Sequence, residues 1–220
     1  MDNNELLFLS LNQFIELKRD VKGQYNGFSF PSFYKVSRLK DKLPLSYNDS
    51  LILIHYLALQ QTFLERNGSG FFKLSFEDII IIEYKDLKKE FGEFGEFGEF
   101  GEFGEFGELV DLDCDNDNNS ILYFAYLNSY HIKKINNKGN IIFNSPFIMD
   151  CFCAPEILAL SVIPAAVSYK CFYYSLGALV IHCLGLGLDS DLEVIYHTKL
   201  YWLLKRIMVI EPNKRVLLLG

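Results

Sequence analysis

Apolar and polar positions follow several rhythms along this chain. Residues 5–20, ELLFLSLNQFIELKRD, open on an apolar run that reads as a strand and pass into helical spacing at Leu11, Phe14, Ile15 and Leu17. Gly23, Gly27 and Pro31 mark a loop, and 31–46 looks irregular. The first clear helix spans Asp49 to Asn67. Asp49 or Ser50 can accept bonds from the free backbone N–H groups at its start, and Gly68 ends it. Its apolar residues, among them Leu51, Ile54, Leu57 and Ala58, cover most of its surface, so it packs on more than one side. Four β-branched residues, Ile79–Ile82, predict a short buried strand reached through a turn over 71–76. Ile121–Leu127 predicts a second strand, Lys133–Asn140 a polar turn and Ile141–Phe143 a further short strand.

Residues 154–188 hold the longest apolar stretch of low charge. Cys171 to Leu188 contains no Asp, Glu, Lys or Arg, and a helix apolar all round must be buried in a core or a bilayer. A last helix is predicted over about Asp191 to Ile210, stopping before Pro212.

Between the first and second strands the rhythm fails. Six copies of Glu-Phe-Gly run from Glu90 to Gly107. A three-residue period drifts around a helix and alternates faces on a strand, so neither element would present a clean apolar face. Residues 90–119 are expected to be a disordered insertion, with a phenylalanine-bearing docking strip as the alternative. The acidic run from Asp111 to Asn119 alternates like a calcium loop, yet its sixth position is Asn116 and its twelfth is Leu122, where such a loop needs Gly and Glu.

The formal charge of -7 traces to that repeat, because without its seven glutamates the chain is neutral. Nothing in the balance suggests nucleic-acid binding. Five cysteines at irregular spacings fit neither a disulfide framework nor a zinc site, and reduced, mostly buried thiols are expected. The amino end lacks a basic stretch before a short apolar run, so the default is a cytoplasmic protein without a signal peptide.

Three blocks carry a resemblance. They are Ala154-Pro155-Glu156, then KCFYYSLG at 170–177, then LLKRIMVIEPNKR at 203–215. In that order and spacing they resemble the larger lobe of protein kinases, where the first closes the activation segment and the second starts the central helix. The resemblance implies a mainly α fold with a few short β-strands, a kinase-like helical lobe without the smaller lobe and truncated at its carboxyl end. It implies structural roles for Ala154, Pro155, Glu156, Ser175, Gly177 and Arg215, with Glu156 and Arg215 as a buried ion pair. Its parts would be 1–89 (hinge-like strand, helices and a degenerate catalytic loop), 90–119 (the insertion) and 120–220 (the rest of the lobe).

The same resemblance implies lost chemistry. With GFFKLSFEDIIII laid over the family's catalytic loop, Phe71 and Phe72 stand where the family has His and Arg. Lys73 stands at the position of the catalytic Asp, and Asp78 at that of a metal-binding Asn. An ammonium cannot accept the hydroxyl proton that phosphoryl transfer releases. Phe124-Ala125-Tyr126 falls where the family's second metal-binding Asp is expected, and Phe172 where its central helix has an Asp. The expectation is a catalytically inactive, pseudokinase-like fragment with no cofactor, acting through a protein partner on the surface the smaller lobe would cover. Two alternatives stand beside it. One is an active protein kinase using ATP and magnesium, with Asp78 the first candidate acid. The other is a membrane protein spanning at 171–188, disfavoured by His182, three glycines and the lack of a flanking basic cluster.

Overall fold

Ser46 caps the central helix, three residues ahead of the expected start. Helix α2 runs Tyr47–Arg66, and the Ser46 hydroxyl accepts the Asp49 N–H at 3.0 Å while donating to the Asp49 carboxylate. The computed structural model describes residues 1–20, 25–85, 120–187 and 192–217. The Glu-Phe-Gly repeat, the acidic run and Cys114 lie outside the described residues. At its far end α2 stops at Asn67 and Gly68, whose φ of +66° is the left-handed geometry that favours glycine.

Among the described residues the fold is mixed α/β, with five α-helices and nine strands. Helix α1 is Asn3–Leu11, capped by the Asp2 carboxylate on the Glu5 N–H at 2.8 Å. The apolar run at its start is therefore helical, not a strand; so short a run suits either element, and the Asp2 cap decides it. Strands β1 (Lys18–Arg19) and β2 (Phe28–Ser29) form a small hairpin. Strand β3 (Tyr34–Arg38) emerges from the stretch that looked irregular and pairs antiparallel with β5 (Ile79–Lys85). Strand β6 (Ser120–Tyr126) completes a three-stranded sheet in the order β3-β5-β6. The four isoleucines of β5 are all buried, as β-branched residues covered on both faces should be.

Three further antiparallel pieces are short. Strand β4 (Ser69–Phe71) pairs with β7 (Ile132–Lys134), and β8 (Asn140–Phe143) with β9 (Ala165–Ser168). The apolar stretch at 154–188 divides into helix α3 (Pro155–Leu158), β9 and helix α4 (Cys171–Cys183). Helix α4 is buried on nearly every side, against α2 and α5 (Lys199–Ile207). It ends at a turn through Gly185, so no span over 171–188 forms, and no described helix is long and apolar enough to cross a membrane.

The predicted last helix is two pieces. A single 3-10 turn at Leu192–Ile195 is separated from α5 by His197, at φ +65°, and by Thr198, whose hydroxyl caps the Tyr201 N–H at 3.1 Å. The fold thus carries more strand than the mainly α expectation allowed. Pieces of two to four residues are too short to leave a period in the sequence.

Two apolar cores share the interior. The larger joins α1, α2, the three-stranded sheet, α4 and α5. The smaller gathers Phe72, Ile141, Phe143, Cys153, Ala154, Ile157, Val167 and Cys171.

Candidate functional site

The centre of the molecule is the loop 71–78 between β4 and β5. Its adjacent phenylalanines, Phe71 and Phe72, part company, as neighbours on an extended backbone must. The Phe71 ring enters the larger core, edge-on to Tyr126 at 5.0 Å and 6.1 Å from Phe172 of α4. Phe72 enters the smaller core and touches the rings of His131, Phe143 and Phe147 at 5.0–5.3 Å. Phe172 therefore meets an apolar loop with an apolar side chain.

Two amides of α2, both fully buried, hold the loop and its neighbours. The Gln61 carbonyl oxygen accepts the Phe71 N–H at 2.9 Å, and its amide donates to Glu65. Gln60 takes both backbone groups of Tyr126, accepting its N–H at 2.8 Å and donating to its carbonyl at 3.2 Å. Burial raises the pKa of Glu65, which also accepts a bond from the Tyr173 hydroxyl.

Lys73 is buried, 5% exposed, and its ammonium donates to the Ile148 carbonyl and to the Asp150 carboxylate, each at 2.8 Å. Asp150 is the lone acid between Ile121 and Pro155, and its second oxygen accepts the Phe152 N–H at 3.0 Å. Near this pair, the Tyr126 hydroxyl bonds to His131 Nδ1 and accepts the Ser75 N–H at 3.2 Å. Burial, helped by Lys73, lowers His131 to about 4, so the ring is neutral at ordinary pH. Burial first, and then the charge of Asp78, raises the Tyr126 phenol well above its usual range.

Asp78 ends a 3-10 turn, and its carboxylate accepts the Asn128 amide at 2.8 Å. From beyond β6 it is Asn128 that faces Asp78. The Asn128 carbonyl oxygen is turned away to the Tyr130 N–H at 3.0 Å. Its amide oxygen closes a local turn while its NH2 faces the carboxylate. Among the described residues no three His, Cys, Asp or Glu side chains converge as metal ligands would.

Glu156 and Arg215, distant in sequence, meet as a two-pronged pair at 2.5 and 2.8 Å. Arg215 is fully buried. Its remaining N–H groups reach the carbonyls of Val209 (2.7 Å), Ile210 (2.9 Å) and Lys170 (3.2 Å), so all five donors are used. Lys170 returns a bond from its ammonium to the Arg215 carbonyl at 2.9 Å. Ala154 stands just ahead of the short helix α3 without a side-chain cap bond, Pro155 takes the first helical position, and both precede Glu156 in the first turn. Within α4, Ser175 is buried with its hydroxyl unpartnered among the described residues, and Gly177 lies against Met208 and Ile207.

The structure therefore gathers Lys73 and Asp78 around one centre and Glu156 and Arg215 around another. Asp150, Asn128, His131 and the two glutamines were not anticipated as a set. Two signals were present in the sequence: paired amides inside an apolar helix, and one acid alone in a long stretch without others. No protein-family model matches this chain, and no curated protein matches it.

Proposed function

We propose that this chain is a catalytically inactive, protein-kinase-like lobe that works by binding another protein. The observation that carries this reading is Lys73. On the alignment with the kinase catalytic loop, its position calls for a carboxylate free to take a proton. Here it holds a buried ammonium already bonded to Ile148 and Asp150. A cation so placed accepts no proton, and two of its three donors are committed to the protein. The order of the elements supports the same reading, with a helix before the loop, a hairpin of β5 and β6 after it, the Ala154-Pro155-Glu156 turn and a buried helix. So does the Glu156–Arg215 pair between the first and third sequence blocks.

On the same resemblance Asp78 stands where the family has a metal-binding Asn, and here its carboxylate is taken up by the Asn128 amide. His131 is neutral but has its Nδ1 engaged by the Tyr126 hydroxyl. For the binding role, the support is the number of large apolar side chains left exposed, among them Ile148, Val162, Trp202 and Ile210.

The test is thermal unfolding of the purified chain titrated with ATP, with and without magnesium. No shift is expected with either. A magnesium-dependent rise in melting temperature that Asp78→Asn abolishes would replace this reading with that of an active phosphotransferase.

A further inference from the structure

Helix α5, KLYWLLKRI, has two sides of opposite character. Leu200, Leu204 and Ile207 are fully buried in the larger core. On the other side Trp202 is 52% exposed, although a side chain of that size is ordinarily covered for the most part. Its neighbours one helical turn away are Lys199 at i−3, Lys205 at i+3 and Arg206 at i+4, and all three are exposed. The helix contains no Asp or Glu. A large indole thus stands among three cations.

The aromatic surface continues past the helix. Trp202 meets Tyr201 edge-on at 5.1 Å, Tyr201 meets Tyr196 edge-on at 4.9 Å, and Tyr196 is itself half-exposed. The Lys205 ammonium lies over the Tyr201 ring at 5.6 Å. Because the Thr198 hydroxyl caps α5 on the Tyr201 N–H, Trp202 and its cations are carried on a capped helix. Among the described residues no carboxylate pairs with Lys205 or Arg206.

Charge and shape narrow the occupant. Three cations around an exposed indole match carboxylates and aromatic side chains presented together. A bilayer matches poorly, because an interfacial helix must offer its apolar side to lipid and α5 has buried that side in the core. A nucleic acid matches poorly as well, since the chain carries a formal charge of -7.

We propose that the exposed face of α5, centred on Trp202 and flanked by Lys199, Lys205 and Arg206, docks an acidic segment of a partner protein in which aromatic side chains alternate with carboxylates. The partner's carboxylates meet the three cations, and one of its rings packs on the indole. Trp and Arg are among the residues that most often dominate protein interfaces, and here they lie one turn apart. The inference gives the binding role proposed above a place and a partner class. It fails separately from the loss of chemistry, because ATP titration tests the one and peptide titration the other.

The probe is a labelled synthetic peptide of six Glu-Phe-Gly copies, titrated with the whole chain and read by fluorescence anisotropy. Trp202 is the single tryptophan of the chain, so its emission reports from the face itself. Saturable binding with a shift of that emission is expected. Arg206→Glu, or glutamine for glutamate in the peptide, should each weaken it about tenfold. Trp202→Ala should weaken it by a similar factor in anisotropy. Should either variant melt early, Lys205→Glu, also at an exposed position, gives the same reading. Absence of binding would overturn the proposal, as would binding that none of these changes weakens. A larger emission shift with phosphatidylserine vesicles or polyuridylate than with the peptide would overturn it in favour of a membrane or a nucleic acid. Binding that appears only once residues 90–107 are deleted would assign the face to the chain's own repeat instead.

Discussion

Arg215 shows how much one side chain can organise. With its five donors used and its surface fully buried, it joins α3, the start of α4 and the turn after α5. A buried guanidinium left without its carboxylate is costly, so Glu156→Gln is expected to destabilise the chain by about 3–5 kcal/mol in urea unfolding. Arg215→Lys keeps the charge but offers three donors from one point, and about 2–3 kcal/mol should be lost even so. A variant at either position within 0.5 kcal/mol of wild type, on the order of an ordinary surface change, would show that the pair does not hold the fold. These two residues were legible in the sequence because each sits in a short motif with a stated partner. Lys73 was singled out only through the resemblance, and its partner was not legible at all: Asp150 lies in a stretch whose shape depends on packing over Phe72, and no local pattern encodes that.

At the scale of elements, the junction of α4 with the end of α5 turns on Gly177. A methyl group there would stand 2.9 Å from Met208 Sδ and closer still to its Cγ. The helix itself would favour alanine by about 1 kcal/mol, while overpacking costs about 1–3 kcal/mol. Gly177→Ala alone should therefore lower stability by about 1 kcal/mol. In a Met208→Ala background the same change should raise it, and a melting comparison of the four proteins measures the reversal. The long elements α2, α4, β5 and β6 were readable from their runs of apolar and β-branched residues. Ile141–Phe143 of β8 was readable too, but β4, β7, β9 and the pairings β4–β7 and β8–β9 were not, because the partners lie far apart in the chain and each strand is only three or four residues long. The helical start at Asn3 was missed because Asp2 as a cap outweighs the β-like look of a brief apolar run.

For the whole molecule, the balance of buried titrating groups sets how stability follows pH. Burial lowers His55 and His131 to about 4 each, below the usual histidine range. The unfolded chain takes up these protons first, so the stability they contribute is complete above about pH 6.5 and is lost as pH falls towards about 4. At about pH 5 the loss should be on the order of 1–2 kcal/mol for each ring, with solvent screening reducing the larger ideal figure. Glu65 acts in the opposite sense. Burial raises its carboxyl, so acid relieves a charge that the fold carries at neutral pH. Urea midpoints measured from about pH 7 down to about pH 4.5 should fall, and fall less in a His55→Asn variant. A His55→Asn midpoint that falls as far as the wild type's over that range would mean that the His55 ring is solvated in the folded state.

The amide of Gln60 has a consequence of another kind. By taking both the N–H and the carbonyl of Tyr126, one side chain of α2 does at the outer margin of β6 what a neighbouring strand would do. At that point the three-stranded sheet has no vacancy for a foreign strand. A second molecule seeking to extend the sheet past Phe124 would first have to prise α2 from its core, and intermolecular growth along this margin stops there.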